Sequence, residues 1–131
     1  MANPNIAAAS SILGTTTFLT PSGTSAVVLL PNAASSGQVF KINQIVAANV
    51  NGTNAVDTTV SIYSNGGVAQ GSAPSGGTAF PIASTISVPA DASLVVVDKT
   101  TAIYLMENQS IIVTSGTASG ITYSISYEVI S

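Results

Sequence analysis

The chain of 131 residues contains no cysteine, histidine, tryptophan or arginine. Without cysteine there is no disulfide, and without histidine or cysteine neither a Ser-His-Asp nor a Cys-His catalytic device can form. Zinc, copper and haem sites that depend on these ligands are excluded for the same reason. We therefore predict that the protein is not an enzyme, and we assign no catalytic, cofactor-binding or metal-binding residue.

Charge is also scarce, because two lysines and five acidic residues make up only 5% of the chain and leave a net charge of −3. A typical soluble domain contains about 25% charged residues. Binding to nucleic acid requires several cations that displace counterions from the phosphates, so we expect no nucleic-acid partner. So little charge favours a subunit that works inside an assembly. The alternative is a neutral secreted module covered by serine and threonine.

Three of the five carboxylates, Asp91, Asp98 and Glu107, lie within two residues of Asn, Ser or Thr in stretches typical of turns. Capping and turn hydrogen bonds are the ordinary role of such residues. A glycosidase pair would need one carboxyl pKa raised and its partner's left low, and nothing in these stretches provides that difference. We therefore expect turn residues at these positions.

Calcium is the one metal that the remaining carboxylate, amide and carbonyl oxygens could bind. Two arrangements stay open: Asp57 with Asn51 and Asn54, or Asp91 with Asp98. No EF-hand spacing is present.

The four tyrosines, Tyr63, Tyr104, Tyr123 and Tyr127, could stack on sugar rings. Tyr123 and Tyr127 share the apolar face of the last predicted strand, however, so packing in the core or at an interface is the expected role.

The N-terminal stretch MANPNIAAASSILG has no basic residue and no long apolar run, so we expect no signal peptide. No apolar run approaches the roughly 20 residues of a membrane span, so we expect no membrane partner. We predict an N-terminal arm over residues 1–14, either with a helical turn or extended, which docks on a neighbouring subunit or frays.

Short runs rich in β-branched residues recur about every ten residues, separated by turn formers. This spacing predicts an all-β chain with eight to ten short strands in a single antiparallel β-sandwich, jelly-roll or immunoglobulin-like, over residues 15–131. The predicted strands are residues 15–20, 26–30, 39–50, 58–64, 79–83, 85–88, 94–97, 102–106, 111–114 and 121–129.

Two of these runs carry the clearest signals. Residues 121–129 alternate between an apolar face and a polar face, which predicts a half-buried strand. Asn51-Gly52 follows the long run 39–50, and it predicts a hairpin with residues 58–64 because both turn residues tolerate positive φ.

Further predictions concern which strands lie at the edge of a sheet and which are buried on both faces. Pro81 and Pro89 confine residues 79–88 to a sheet edge or to strand ends. The apolar runs 27–30 and 94–97 suggest strands covered on both faces, either by another subunit or by a loop.

Residues 65–77 read as a long flexible or contact loop, with a short strand near Val68 as an option. The glycine pairs of this loop precede neither a lysine nor a helix, so they do not match phosphate-binding motifs.

Two stretches carry a resemblance to a known group of proteins. PADASLVVVDKTTAIYLMENQSIIVTSG with the ending SYEVIS, and VFKINQIVAANVNGTNAVDTTVSIYS, resemble a module of small virion structural proteins from tailed bacteriophages that infect cyanobacteria. The resemblance covers about residues 25–131 and carries no catalytic signature. It implies a β-sandwich subunit of the particle.

We therefore expect a structural virion protein, foremost a capsid decoration or cement protein that stabilises the shell. Its expected partners are further copies of itself, as a trimer or ring, and the major capsid protein or other virion proteins. A neck or tail component of the same particle is one alternative, and a carbohydrate- or host-surface-binding β-module is another.

Overall fold

The computed structural model describes residues 3–131, and this part of the chain forms two antiparallel sheets packed face to face. The predicted β-sandwich is confirmed, with nine strands within the expected eight to ten. The strands are β1 (Ile12–Leu19), β2 (Val27–Asn32), β3 (Val39–Asn49), β4 (Val56–Tyr63), β5 (Ala79–Val88), β6 (Ser93–Val97), β7 (Ile103–Leu105), β8 (Gln109–Ser115) and β9 (Ile121–Ile130).

The strand order is that of a jelly roll. One sheet runs β1-β9-β3-β6, with β7 also paired to β3, and the other runs β2-β8-β4-β5. Partners are therefore nested: β1 with β9, β2 with β8, β3 with β6 and β4 with β5. A long hairpin rolled into two sheets gives this nesting, whereas an immunoglobulin-like sandwich places its first two strands in the same sheet.

The core lies between the two sheets, and β9 is central to it. The side chains of Ile121, Tyr123 and Ile125 are fully buried, as the alternation predicts. Tyr127 and Val129 point to the same side but are only half-buried.

The predicted hairpin between residues 39–50 and 58–64 is wrong. β3 pairs with β9, β6 and β7, while β4 lies in the opposite sheet between β5 and β8. Asn51 does form a turn, since its Oδ1 accepts hydrogen bonds from the backbone N–H groups of Thr53 and Asn54 at 2.9 and 3.1 Å. This turn carries the chain across from one sheet to the other.

A β-bulge interrupts the alternation of side chains along β3. The register with β9 shifts between Ile42 and Gln44, so the extra residue Asn43 reverses the alternation. Ile42 is buried before the bulge, and Ile45 is buried after it. Strict alternation from the buried Ile42 would place Gln44 on the inner face, whereas it is exposed.

The first strand begins at Ile12 and not at residue 15, so the end of the predicted arm is part of a sheet. A 3-10 turn at Ile6–Ala8 precedes it, with the side chain of Asn5 as its cap. Asn3 Oδ1 accepts a hydrogen bond from the backbone N–H of Glu107 at 2.9 Å, so this segment contacts its own domain. The division into an arm and a sandwich stays a prediction.

The structure settles the remaining strand predictions individually. Residues 79–88 form one strand, β5, and not the two predicted strands 79–83 and 85–88. It is an edge strand, as Pro81 and Pro89 predict. Residues 64–78 contain no strand, at Val68 or elsewhere. β2 is covered on both faces, because the cluster around Val28 packs under this loop against Val68. In β6, Val95 is 51% exposed, so no loop of the same chain covers its outer face, and cover by another subunit stays a prediction.

Candidate functional site: an open sheet edge

The carboxylate of Asp98 is committed to a local turn. It caps the 3-10 turn Lys99–Thr101 and accepts hydrogen bonds from the Thr100 side chain at 2.5 Å and from its backbone N–H at 2.8 Å. These hydrogen bonds from Thr100 lower the pKa of Asp98, because they favour the ionised form. The predicted turn role is confirmed here.

Asp91 and Glu107 also lie in turns. Asp91 has a left-handed backbone conformation (φ 58°). Its carboxylate faces the turn after β3, where a Cβ on Gly52 would lie 3.6 Å from it. The carboxylate oxygens of Glu107 are buried and have no hydrogen-bond partner among residues 3–131. In that same part of the chain, no three His, Cys, Asp or Glu side chains are grouped so as to hold a metal ion.

Three of the four tyrosines are held by hydrogen bonds or by ring packing within the sandwich. The hydroxyl of Tyr123 bonds to the side chain of Thr58 and donates to the carbonyl of Thr114 at 2.8 Å. Burial raises the pKa of Tyr123 to about 12, although the bond from Thr58 opposes that shift. The ring of Tyr127 packs on Phe40 with centroids 5.2 Å apart, and burial raises its pKa too.

The hydroxyl of Tyr63 accepts a hydrogen bond from the backbone N–H of Gly77 at 2.9 Å. Tyr104 is 47% exposed, so its ring is the most accessible of the four tyrosines.

A shallow polar groove lies on the outer face of the five-stranded sheet. Its volume is about 460 Å³, and it is lined by Asn43, Gln44, Asp98, Lys99 and Ser126. The bulge places Asn43 and Gln44 side by side here, which the sequence pattern could not reveal. None of the lining residues is aromatic, so the groove offers amide, hydroxyl and charged groups without a stacking platform.

Edge strands expose unpaired backbone groups, and proteins usually blunt them. The edge at β2 is closed by the loop of residues 64–78. The N–H of Val28 donates to the carbonyl of Ser72 at 2.9 Å, and the N–H of Gly71 donates to the carbonyl of Val28 at 2.8 Å.

Two further edges are interrupted. β5 contains Pro81, has a left-handed residue at Thr85 (φ 50°) and shows two register shifts against β4. On the far side of the five-stranded sheet, the edge consists of the short strands β7 and β6, and β6 has a register shift against β3.

The edge at β1 has none of these features. Its eight residues pair with β9 without a register shift, and they include no proline and no charged residue. Three large apolar side chains are exposed on it: Ile12 (58%), Leu13 (61%) and Phe18 (71%). An open, regular and uncharged edge is a ready template for another strand. We name this surface, residues 12–19, the β1 edge.

A second exposed apolar set lies on the opposite side of the sandwich. β1 contacts β2 at one side and β5 contacts β6 at the other. Phe80 (59%), Ile82 (38%) and Ile86 (40%) on β5 and Val95 (51%) on β6 are exposed there. The molecule thus carries exposed apolar side chains on two opposite sides.

No helix within residues 3–131 has the length and apolar character needed to cross a membrane. A comparison with known protein families finds no matching family, and a search of curated proteins finds no relative of this chain.

Proposed function

We propose that the chain is a structural virion protein of a tailed bacteriophage, foremost a capsid decoration or cement protein that acts as a homo-oligomer on the shell. The observation that carries this proposal is the pair of exposed, uncharged apolar surfaces on opposite sides of the sandwich, one on β1 and one on β5 and β6. A subunit with neighbours on both sides buries such surfaces, whereas a free monomer leaves them in water.

The position of the charges supports this proposal. The seven charged residues lie outside β1 and β5, so two copies that approach through these strands meet no like charge. Lysine on edge strands is a common protection against association, and it is missing from both strands.

The jelly-roll topology supports the proposal by analogy. Jelly rolls are frequent in viral capsid proteins, although the same fold also serves lectins and other proteins. Combined with the resemblance of residues 25–131 to phage virion modules, the fold favours a role on the particle, with the major capsid protein or other virion proteins as partners.

The direct test is the addition of the purified chain to phage shells that lack it. We expect saturable binding and a higher melting temperature of the shell, because binding to the assembled state alone stabilises it by mass action. Saturable binding to isolated tails or necks, with no effect on shells, would instead identify a neck or tail component. Binding to none of these would contradict the proposal.

A carbohydrate-binding module is the second candidate, and two separate features favour it: the polar groove and, outside its lining, the exposed ring of Tyr104. A glycan array tests it, with Tyr104→Ala and Asn43→Ala as matched variants. Glycan binding that either variant abolishes would support this candidate, and an array without hits would exclude it for the glycans tested.

A further inference from the structure

We infer that the β1 edge pairs antiparallel with the β1 edge of a second copy, across a two-fold axis at Thr15, so that the five-stranded sheets of both copies become continuous. This inference rests on the proposed self-assembly and names its partner and its register. A two-fold contact uses the same surface on both copies, so it can join neighbouring trimers or rings without being the contact that closes them.

The hydrogen bonds at the start of β1 show which backbone groups are free. Ser11 and Ser131 exchange two bonds, N–H to carbonyl, at 3.1 and 3.0 Å. The register continues from there without a shift to Leu19 opposite Tyr123. In an antiparallel ladder such bonded pairs alternate with non-bonded ones. The residues that point N–H and C=O away from β9 are therefore Ile12, Gly14, Thr16 and Phe18.

The same alternation fixes the pairing of two copies. Around a two-fold axis perpendicular to the sheet, opposite residues must lie on the same face, so their numbers are both even or both odd. With the axis at Thr15, Ile12 lies opposite Phe18 and Gly14 lies opposite Thr16. All four residues whose N–H and C=O groups point away from β9 are then hydrogen-bonded in each copy. An axis at Gly14 or Thr16 would leave one end of the strand unpaired.

The side chains fit this register. Ile12 and Phe18, 58% and 71% exposed, meet on the outer face, and the contact occurs twice in the dimer. Cross-strand pairs of an aromatic and a β-branched residue are favourable.

Charge does not oppose the pairing. The nearest charged side chain is Glu128, opposite Gly14 on β9. In the dimer the two copies of Glu128 lie three strand spacings apart, about 15 Å, which exceeds the Debye length of about 8 Å at physiological salt.

The area indicates how tight the contact is. A standard interface uses about 20–30 residues and about 800 Å² on each partner. The eight residues of the β1 edge supply about a third of that, so the isolated dimer is weak, and the contact is strengthened when other contacts hold the copies together.

The absence of cysteine makes a cross-linking test possible. Thr15 is exposed and meets its own copy on the axis as a non-bonded pair, with Cα atoms about 4.5 Å apart, within the range of a disulfide. The matched control is the neighbouring exposed residue Thr16, whose two copies lie about 8 Å apart, beyond that range. Under mild oxidation we expect Thr15→Cys to form covalent dimers at least about tenfold faster than Thr16→Cys.

Equal rates, a faster Thr16→Cys or no cross-link in either variant would overturn the inference. A second variant, Phe18→Lys, places a charge on the edge at an exposed position, and we expect it to reduce self-association in sedimentation experiments while the circular dichroism spectrum stays unchanged. Unchanged self-association of this variant would also count against the pairing.

The outcomes separate this inference from the proposed function. Shell binding by the unmodified chain without cross-linking of Thr15→Cys retains the virion role and removes the two-fold contact. Cross-linking without binding to any particle retains the contact and removes the virion role.

Discussion

Replacing Tyr123 by phenylalanine removes a single hydroxyl from the centre of the sandwich. The ring is fully buried, and its hydroxyl hydrogen is donated to the carbonyl of Thr114. Because a phenol has only one hydrogen, the hydroxyl of Thr58 must be the donor in the second bond. Tyr123→Phe therefore leaves a buried Thr58 donor unsatisfied and takes one donor from Thr114.

The expected loss follows from these two bonds. A net hydrogen bond contributes about 1 kcal/mol, and a buried group left without its partner costs about 1–3 kcal/mol. We expect Tyr123→Phe to lower the free energy of unfolding by about 2 kcal/mol. For a chain of this length that corresponds to a decrease of about 8 °C in melting temperature.

Urea unfolding followed by circular dichroism, at concentrations where the chain is monomeric, measures this change. Thr58→Val removes the other partner but leaves Tyr123 bonded to Thr114, so we expect a smaller loss of about 1 kcal/mol. In the double variant no Thr58 donor is left unsatisfied, and the double-mutant cycle should give a coupling of about 1 kcal/mol. The control is Tyr104→Phe at an exposed position, expected within about 0.5 kcal/mol of the unmodified chain. If Tyr123→Phe lowers stability no more than this control does, the argument from the buried hydroxyl pair is wrong.

Three further outcomes are expected from the same measurements. Because the pKa of Tyr123 is raised to about 12 in the folded state, folding favours the protonated hydroxyl. Its contribution to the free energy of unfolding is complete below pH about 10 and is lost as the pH rises to about 12, by up to about 1.4 kcal/mol per pH unit. Tyr123→Phe should therefore flatten the decline of stability at alkaline pH. Gly66→Ala places a Cβ 1.9 Å from the backbone oxygen of Asn32 and should lower the free energy of unfolding by about 3 kcal/mol. In the control Gly23→Ala, the new Cβ meets no atom within 4 Å, so the change should be less than about 1 kcal/mol. Equal effects of the two variants would contradict the close approach at Gly66. Asn32→Ala removes a fully buried amide that donates to two backbone carbonyls and should cost about 3 kcal/mol in urea unfolding, so a neutral effect would show that water replaces it.

The parts of the fold that the sequence predicts well are those decided by side chains along one strand. The alternation in β9 identifies its buried face because both neighbours, β1 and β3, hold it in one sheet with a single inner side. Pro81 marks β5 as an edge strand because proline cannot donate a ladder hydrogen bond.

The parts that the sequence predicts wrongly depend on distant partners. Asn51 makes the turn that its chemistry favours, but β3 finds its partners in β9 and β6 and not in the strand that follows the turn. The bulge at Asn43 is fixed by the register against β9, and no residue type within β3 predicts it.

The candidate contact surface has the same limitation. Ile12 and Leu13 fell within the predicted arm, since their place in a strand depends on the pairing with Val129 and Ile130. That the β1 edge is open while the other edges are closed or interrupted is a property of the assembled sheets. The lack of charge is no specific signal for this strand, because it extends over residues 1–40.

The central place of β9 has a consequence for the order of events in folding. β9 separates β1 from β3 in the sheet, yet it follows β1 by more than a hundred residues, as the bond between Thr16 and Ser126 illustrates. During synthesis β1 and β3 leave the ribosome long before the strand that joins them, so their shared sheet forms only after translation of β9. Such distant pairing slows folding to about milliseconds or seconds. Until then β3 lacks its longest sheet partner, and its unpaired edge leaves the nascent chain prone to premature association.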